Sequence, residues 1–293
     1  MPSAIGILLD VLDLEPLERN LFRGRSPRQP GRIRVFGGQV LAQALVAASR
    51  TVEARAPHSL HAYFMRPGDP EAPLIYEVDR IRDGASFTTR RVVAIQHGEA
   101  IFSMSASFHV EEQGWEHQMP MPAAPSPEEL PEVGALMGEL GDLVPEMVRR
   151  YFQSDRAIDV RPVDIGRYAP VAGREPVQRV WFRATERLPD DPAIHRVILA
   201  FASDMTLLDT ALVAHGKTVF GDEVQAASLD HALWFHRPFR ADEWMLYAQD
   251  SPFSGGARGL TRGLIYARNG DLIAATAQQG LIRPRRPRNS PNH

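Results

Sequence analysis

Two stretches, His61-Ala62-Tyr63-Phe64-Met65-Arg66-Pro67 and Ala232-Leu233-Trp234-Phe235-His236-Arg237-Pro238, are one pattern written twice. Each reads as an aromatic-rich strand stopped by Arg-Pro, since proline cannot donate to a sheet ladder. Arg66 and Arg237 lie 171 positions apart. Downstream, Arg90-Arg91-Val92-Val93-Ala94-Ile95 falls opposite Thr261-Arg262-Gly263-Leu264-Ile265-Tyr266 at the same shift. Gly98-Glu99-Ala100-Ile101-Phe102 matches Gly270-Asp271-Leu272-Ile273-Ala274 at a shift of 172, and upstream Ala44-Leu45 fits Ala211-Leu212 at 167. A repeat of this kind marks a duplicated folding unit. Its order in both halves is helix, aromatic strand, strand, hairpin, strand.

Gly37 to Arg50 is rich in Ala, Leu and Gln, has no β-branched run and is apolar nearly all round, which predicts a buried helix. Asp204 to Ala214 has the same character, with Ser203 or Asp204 as N-cap and His215-Gly216 as the stop. Asp83-Gly84 and Asn269-Gly270 between alternating apolar residues predict hairpins. A long buried helix followed by antiparallel strands, occurring twice, gives an α+β architecture in which a curved sheet wraps a central helix. Between the halves, Glu111 to Glu132 carries five prolines and reads as a linker. Leu136 to Phe152 then reads as a helix, Gln178 to Thr185 as a strand, and Pro189-Asp190-Asp191-Pro192 as a tight turn. The expected division is 1–110, an N-terminal repeat; 111–177, the linker with its helix; 178–284, a C-terminal repeat; and 285–293, a frayed tail.

Composition narrows the function. A net charge of −3 excludes a global polycation gripping nucleic acid, and the basic run Arg283-Pro284-Arg285-Arg286-Pro287-Arg288 is confined to the tail. No stretch offers the roughly 18–20 uninterrupted apolar residues of a membrane helix. Met1 to Leu14 contains Asp10 and Asp13 without a basic start, and predicts a short amphipathic helix and not a signal peptide. The chain has no cysteine, hence no disulfide framework and no thiol nucleophile, and the cytoplasm is the expected compartment. There is no Gly-x-Ser-x-Gly elbow, P-loop or dinucleotide fingerprint. His58 and His61, like His231 and His236, differ by odd numbers, which on a regular strand sends them to opposite faces and argues against a metal site.

Polar residues present in only one half are the better candidates, because a shared fold does not require them. Asp204 stands where the first half has Gly37 at a shift of 167, Ser228 where it has Pro57 at 171, and Gln278 where it has Ala106 at 172. Each also has a plain structural role open to it: Asp204 as a helix N-cap, Ser228 as a strand-edge hydroxyl, and Gln278 or Gln279 as the solvent-facing member of its pair.

The stretches Phe36-Gly37-Gly38-Gln39-Val40-Leu41-Ala42-Gln43-Ala44, His58 to Asp69, Ala202-Ser203-Asp204-Met205 and Leu229 to Pro238 resemble the acyl-CoA thioesterase II family, over about Leu21 to Arg283. The resemblance implies two fused hotdog folds, a tandem (double) hotdog, acting on acyl-CoA thioesters with no metal or organic cofactor. It implies a catalytic set of Asp204, Ser228 and Gln278, the last carried by Thr276-Ala277-Gln278-Gln279-Gly280, and assembly into a homo-oligomer, dimer or tetramer. The family often has Thr where Ser228 stands; Ser keeps the hydroxyl. The expected chemistry is attack by a water that Asp204 activates, with Ser228 and Gln278 holding it. Arg258 and Arg262, on one strand at even spacing, are candidates for CoA phosphates, and His58 for a substrate contact. Two alternatives remain. An (R)-specific enoyl-CoA hydratase would carry a Gly-Asp-x-Asn-Pro-x-His motif, whereas Gly68-Asp69 runs into Pro70-Glu71. A catalytically silent acyl-CoA-binding module would bind without turnover. One active site per chain is expected.

Overall fold

The computed structural model describes residues 2–27, 33–132, 155–168 and 170–285, with positions 134, 146 and 149. Apart from positions 146 and 149, the helix expected at 136–152 lies outside the described residues, as do the last eight residues of the tail. Ser3 caps α1 (Ala4–Leu12) by accepting from the Gly6 N–H, and Ile5, Leu8, Val11 and Leu12 form its buried face. The strands β1 (Glu15–Glu18) and β2 (Leu21–Gly24) lead to α2 (Gly37–Ser49), which is buried along most of its length, Gln39 and Gln43 included. Gln43 is tolerated there because its amide donates to the Val11 carbonyl and accepts from the Tyr76 hydroxyl.

Next come β3 (Ala56–Phe64), β4 (Leu74–Asp83), β5 (Phe87–Gln96) and β6 (Glu99–His109). The expected turns are in place: the Gly84 N–H donates to the Phe87 carbonyl, and Gly270, at positive φ, donates its N–H to the Ala267 carbonyl. The second half holds β7 (Ile158–Pro162), β8 (Val177–Ala184), α3 (Pro192–Ser203), β9 (Val224–Ser228), β10 (Asp230–Phe235), β11 (Met245–Gly255), β12 (Arg258–Ala267) and β13 (Leu272–Pro284). All pair into one antiparallel sheet ordered β1-β2-β4-β5-β6-β3-β10-β13-β12-β11-β8-β7, with β9 also on β13. The two aromatic strands are its seam, β3 running antiparallel to β10 with Leu60 opposite Leu233.

Two registers verify the repeat in space. Ala62 pairs with Met104 as Leu233 pairs with Thr276, and Pro57 pairs with Phe108 as Ser228 pairs with Gly280. The sequence shifts of 171 and 172 are therefore structural equivalences. The shift of 167 is not. The second central helix is α3, capped by Asp191 with Pro192 in its first turn, and it ends where Asp204 begins. Pro189 to Pro192 thus leads into a helix start. Leu208–His215 forms a tight 3-10 helix, closed as expected by Gly216 in the left-handed region.

The helices α2 and α3 cross closely. A Cβ on Gly38 would lie 2.4 Å from the Phe201 carbonyl oxygen, so only glycine fits. Together they fill the inner face of the sheet in one core with Leu60, Phe102, Met104, Phe182, Tyr247 and Ile273. The 24 residues Pro192–His215 are long and apolar enough to cross a membrane by length and composition, but Arg196, Asp204 and Asp209 interrupt them and most are buried in this core. The proline-rich linker does more than connect: Met121, Ala124 and Leu130 pack on Trp181, Trp244, Leu246 and Tyr266, covering the outer face of the second half. The Trp181 indole donates to the Pro125 carbonyl at 2.8 Å.

The parity expected for His58 and His61 fails. A bulge between Pro57 and Ser59 shifts the register, and His58 bonds Ser107 Oγ at 2.9 Å beside Phe87 and His109, on the outer face it shares with His61. His231 and His236 do part, the first buried and the second exposed.

Candidate active site

Three elements of the second half deliver one side chain each to a single point. Asp204 is the residue after the last turn of α3. Ser228 ends β9, where its partner across the ladder is Gly280. Gln278 lies on β13 opposite Thr261, and strand alternation sends it inward with Thr276 while Gln279 turns away. The Gln278 amide nitrogen donates to Asp204 Oδ1 at 2.7 Å and to Ser228 Oγ at 2.7 Å, and the Ser228 hydroxyl donates to the same Oδ1 at 3.0 Å. Both amide hydrogens and the hydroxyl hydrogen are thereby used.

The N-terminal half completes the site. Asp204 Oδ2 lies over Gly37, so that a Cβ there would sit 2.7 Å from the oxygen and 3.0 Å from the Phe64 ring. The Gly38 N–H is a further donor to the carboxylate, and Arg34, whose guanidinium donates to the Ala226 carbonyl, adds positive potential. Asp204 and Gly37 are therefore not counterparts in the repeat; they are neighbours across the seam. An N-cap role for Asp204 is excluded, since it follows its own helix. The helix N-terminus that meets the carboxylate is that of α2.

Burial dominates the electrostatics. It pushes the Asp204 carboxyl up to about 6, against the opposing hydrogen bonds of Gln278, Ser228 and the Gly38 N–H and the charge of Arg34. A carboxylate poised near neutrality and held by fixed donors in a buried pocket suits general-base work. Beside it, Ile158, Val160, Phe182, Met205 and Tyr247 line a small apolar cavity of about 10 Å³.

Two family profiles match the chain, one described as "Acyl-CoA thioesterase N-terminal domain" over residues 25–109 and one as "Acyl-CoA thioesterase" over residues 147–281. The chain is 41% identical to acyl-coenzyme A thioesterase 8 of Homo sapiens, across 94% of this chain and 89% of that protein. The chain belongs to the acyl-CoA thioesterase II family. Acyl-CoA thioesterase 2 of Haemophilus influenzae is 38% identical across 97% of this chain and 99% of its own. Among solved structures, an acyl-CoA thioesterase II from Mycobacterium marinum superposes with a TM-score of 0.79 at 47% identity, covering 95% of this chain and 98% of that one. A hot dog fold protein from Alicyclobacillus acidocaldarius superposes with a TM-score of 0.76 at 20% identity, across 96% of this chain and 99% of its own; its fold agrees with the double hotdog of this thioesterase.

Of the candidates, Asp204, Ser228 and Gln278 come together, and the other three stand apart from them. Arg258 and Arg262 lie on the exposed outer face of β12, whereas Thr261 between them faces inward opposite Gln278. Arg262 is paired there with Asp250 at 2.8 Å. His58 is on the outer face of the first half. Sequence reasoning missed Gly37, Gly38, Phe64 and Arg34 as parts of the site. The Gly37-Gly38 pair opening a helix was the available signal. Among the described residues, no group of three or more His, Asp or Glu is placed to hold a metal ion.

Proposed function

We propose that the chain hydrolyses acyl-CoA thioesters to a carboxylic acid and free CoA by direct attack of water at the Asp204–Ser228–Gln278 cluster. The observation that carries this is the closed hydrogen-bond triangle, which leaves Asp204 Oδ2 as its remaining carboxylate acceptor. Asp204 takes a proton from the water as its oxygen bonds to the thioester carbon. The tetrahedral intermediate then expels CoA thiolate, which recovers that proton from Asp204. The chain has no cysteine to compete as nucleophile, Ser228 is bonded to a carboxylate and an amide, and the hydroxyl of Ser203, paired with His231, is buried against the Ala200 carbonyl.

A single site per chain follows from the repeat. Pro57, Leu60 and Ala106 hold the positions that Ser228, His231 and Gln278 hold in the second half. A cytoplasmic homo-oligomer, dimer or tetramer, is part of the same proposal on family resemblance, and light scattering from the purified chain checks the assembly. The activity is tested by free-thiol release from a chain-length panel of acyl-CoAs, alongside Asp204→Asn. The variant should lose roughly a hundredfold or more in kcat. A loss below about tenfold would remove the base role, and binding without thiol release would make the protein a carrier.

A further inference from the structure

Hydrolysis as described uses both hydrogens of the Gln278 amide and leaves its carbonyl oxygen unexplained. That oxygen is buried and without a hydrogen-bond partner in the triangle, as is Nδ1 of His231. The two side chains face each other. The β10–β13 ladder pairs Leu233 with Thr276 and Ala232 with Ala277, and one step further sets His231 across from Gln278. Both turn inward, His231 1% and Gln278 0% exposed, and their side chains interact. The other ring nitrogen, Nε2, is engaged 2.9 Å from Ser203 Oγ. In the first half the equivalent pair is Leu60 opposite Ala106, both buried, so the fold does not require polar groups here.

Resting on the assignment of the hydrolytic site above, we propose that His231 is a positioning residue whose Nδ1–H donates to Gln278 Oε1 and locks the amide with its NH2 toward Asp204 and Ser228. The hydrogen count supports this tautomer. With the amide NH2 committed to Asp204 and Ser228, an unprotonated Nδ1 would face Oε1 as a second acceptor, and two buried acceptors repel. With Nδ1 protonated, Nε2 accepts from the Ser203 hydroxyl, which turns to it from the Ala200 carbonyl. The ring stays neutral because burial holds it down at about 4. Without the imidazole, the amide is free to flip, and Oε1 would then confront the Asp204 carboxylate.

The experiment compares Gln278→Ala, His231→Ala, His231→Asn, His231→Gln and the double Gln278→Ala/His231→Ala, reading kcat, KM and the acidic limb of the pH profile. Asparagine puts an amide nitrogen near the Nδ1 position, and glutamine puts one near Nε2. His231→Ala should lower kcat about tenfold or more, as an unpaired buried acceptor implies, with KM little changed. The acidic limb should move up, because Asp204 loses a steady donor. His231→Asn should recover most of the loss and His231→Gln should not, and in the Gln278→Ala background the His231 change should cost nothing further. Equal defects in the Asn and Gln variants, or an unmoved acidic limb, would overturn the role of His231. This contrast still decides if His231→Ala fails to fold. A Gln278→Ala enzyme with wild-type kcat would instead overturn the site assignment itself.

Discussion

Replacing Asp204 by Asn should cost activity and increase stability, by an amount that depends on pH. Burial lifts the carboxyl from 3.8 to about 6. Two pH units at 1.36 kcal/mol each make ionisation of Asp204 in the fold unfavourable by about 3 kcal/mol. Below about pH 4 the group is protonated folded or unfolded, and there is no penalty. Between about 4 and 6 the folded chain holds a proton that the unfolded chain releases, so stability falls as pH rises; above about 6 the penalty is complete. Asn does not titrate. Urea unfolding of both proteins at a series of pH values should therefore show the variant gaining on the wild type by about 2 kcal/mol between pH 4.5 and 8. A constant offset between the two curves would refute the reasoning, whatever its sign. It would mean that the carboxylate is not strained by burial and that its base strength is not set by the pocket.

The remaining expectations use the same geometry. Gly37→Ala places a methyl 2.7 Å from Asp204 Oδ2, displacing the carboxylate; kcat should fall roughly a hundredfold at a stability cost of about 1–3 kcal/mol, and an enzyme of normal kcat would place Oδ2 outside the reaction. Because Asp204 must be ionised to act as base, kcat/KM should rise with pH through an inflection near 6, and an inflection at ordinary carboxylate values would contradict the burial argument. Arg34→Ala should raise KM for acyl-CoA, whereas Arg262→Ala, already paired with Asp250 on the opposite face of the sheet, should not; the reverse pattern would show that CoA crosses the outer face.

The repeat was legible because aromatic strands, turns and Arg-Pro stops are local signals, and the paired ladders reproduce their shifts. The second central helix was harder to read. Pro192-Ala193-Ile194-His195-Arg196-Val197-Ile198 mixes β-branched and polar residues, while Leu208–His215 has better helix composition but closes as a 3-10 turn. The start signal was present in Asp191-Pro192, a cap followed by proline in the first turn. Ser228 and Gln278 stood out as polar departures from the other half, whereas Asp204 was singled out by a comparison with Gly37 that the fold does not support. Gly37 and Phe64 did not, because their role depends on the seam between halves, which no local pattern encodes. His231 could have been found from alternation: it shares a face with Leu233 and Phe235, so a histidine there is a polar group on the core side.

The most direct test of hydrolysis by water at this cluster is a single turnover in ¹⁸O-labelled water, with the products and the Asp204 peptide both weighed. Water attack guided by Asp204 puts the label in the released acid, and leaves the peptide unlabelled and free of any acyl adduct. Label or an acyl group on Asp204 would show that the carboxylate is itself the nucleophile, and would contradict the mechanism drawn from the site.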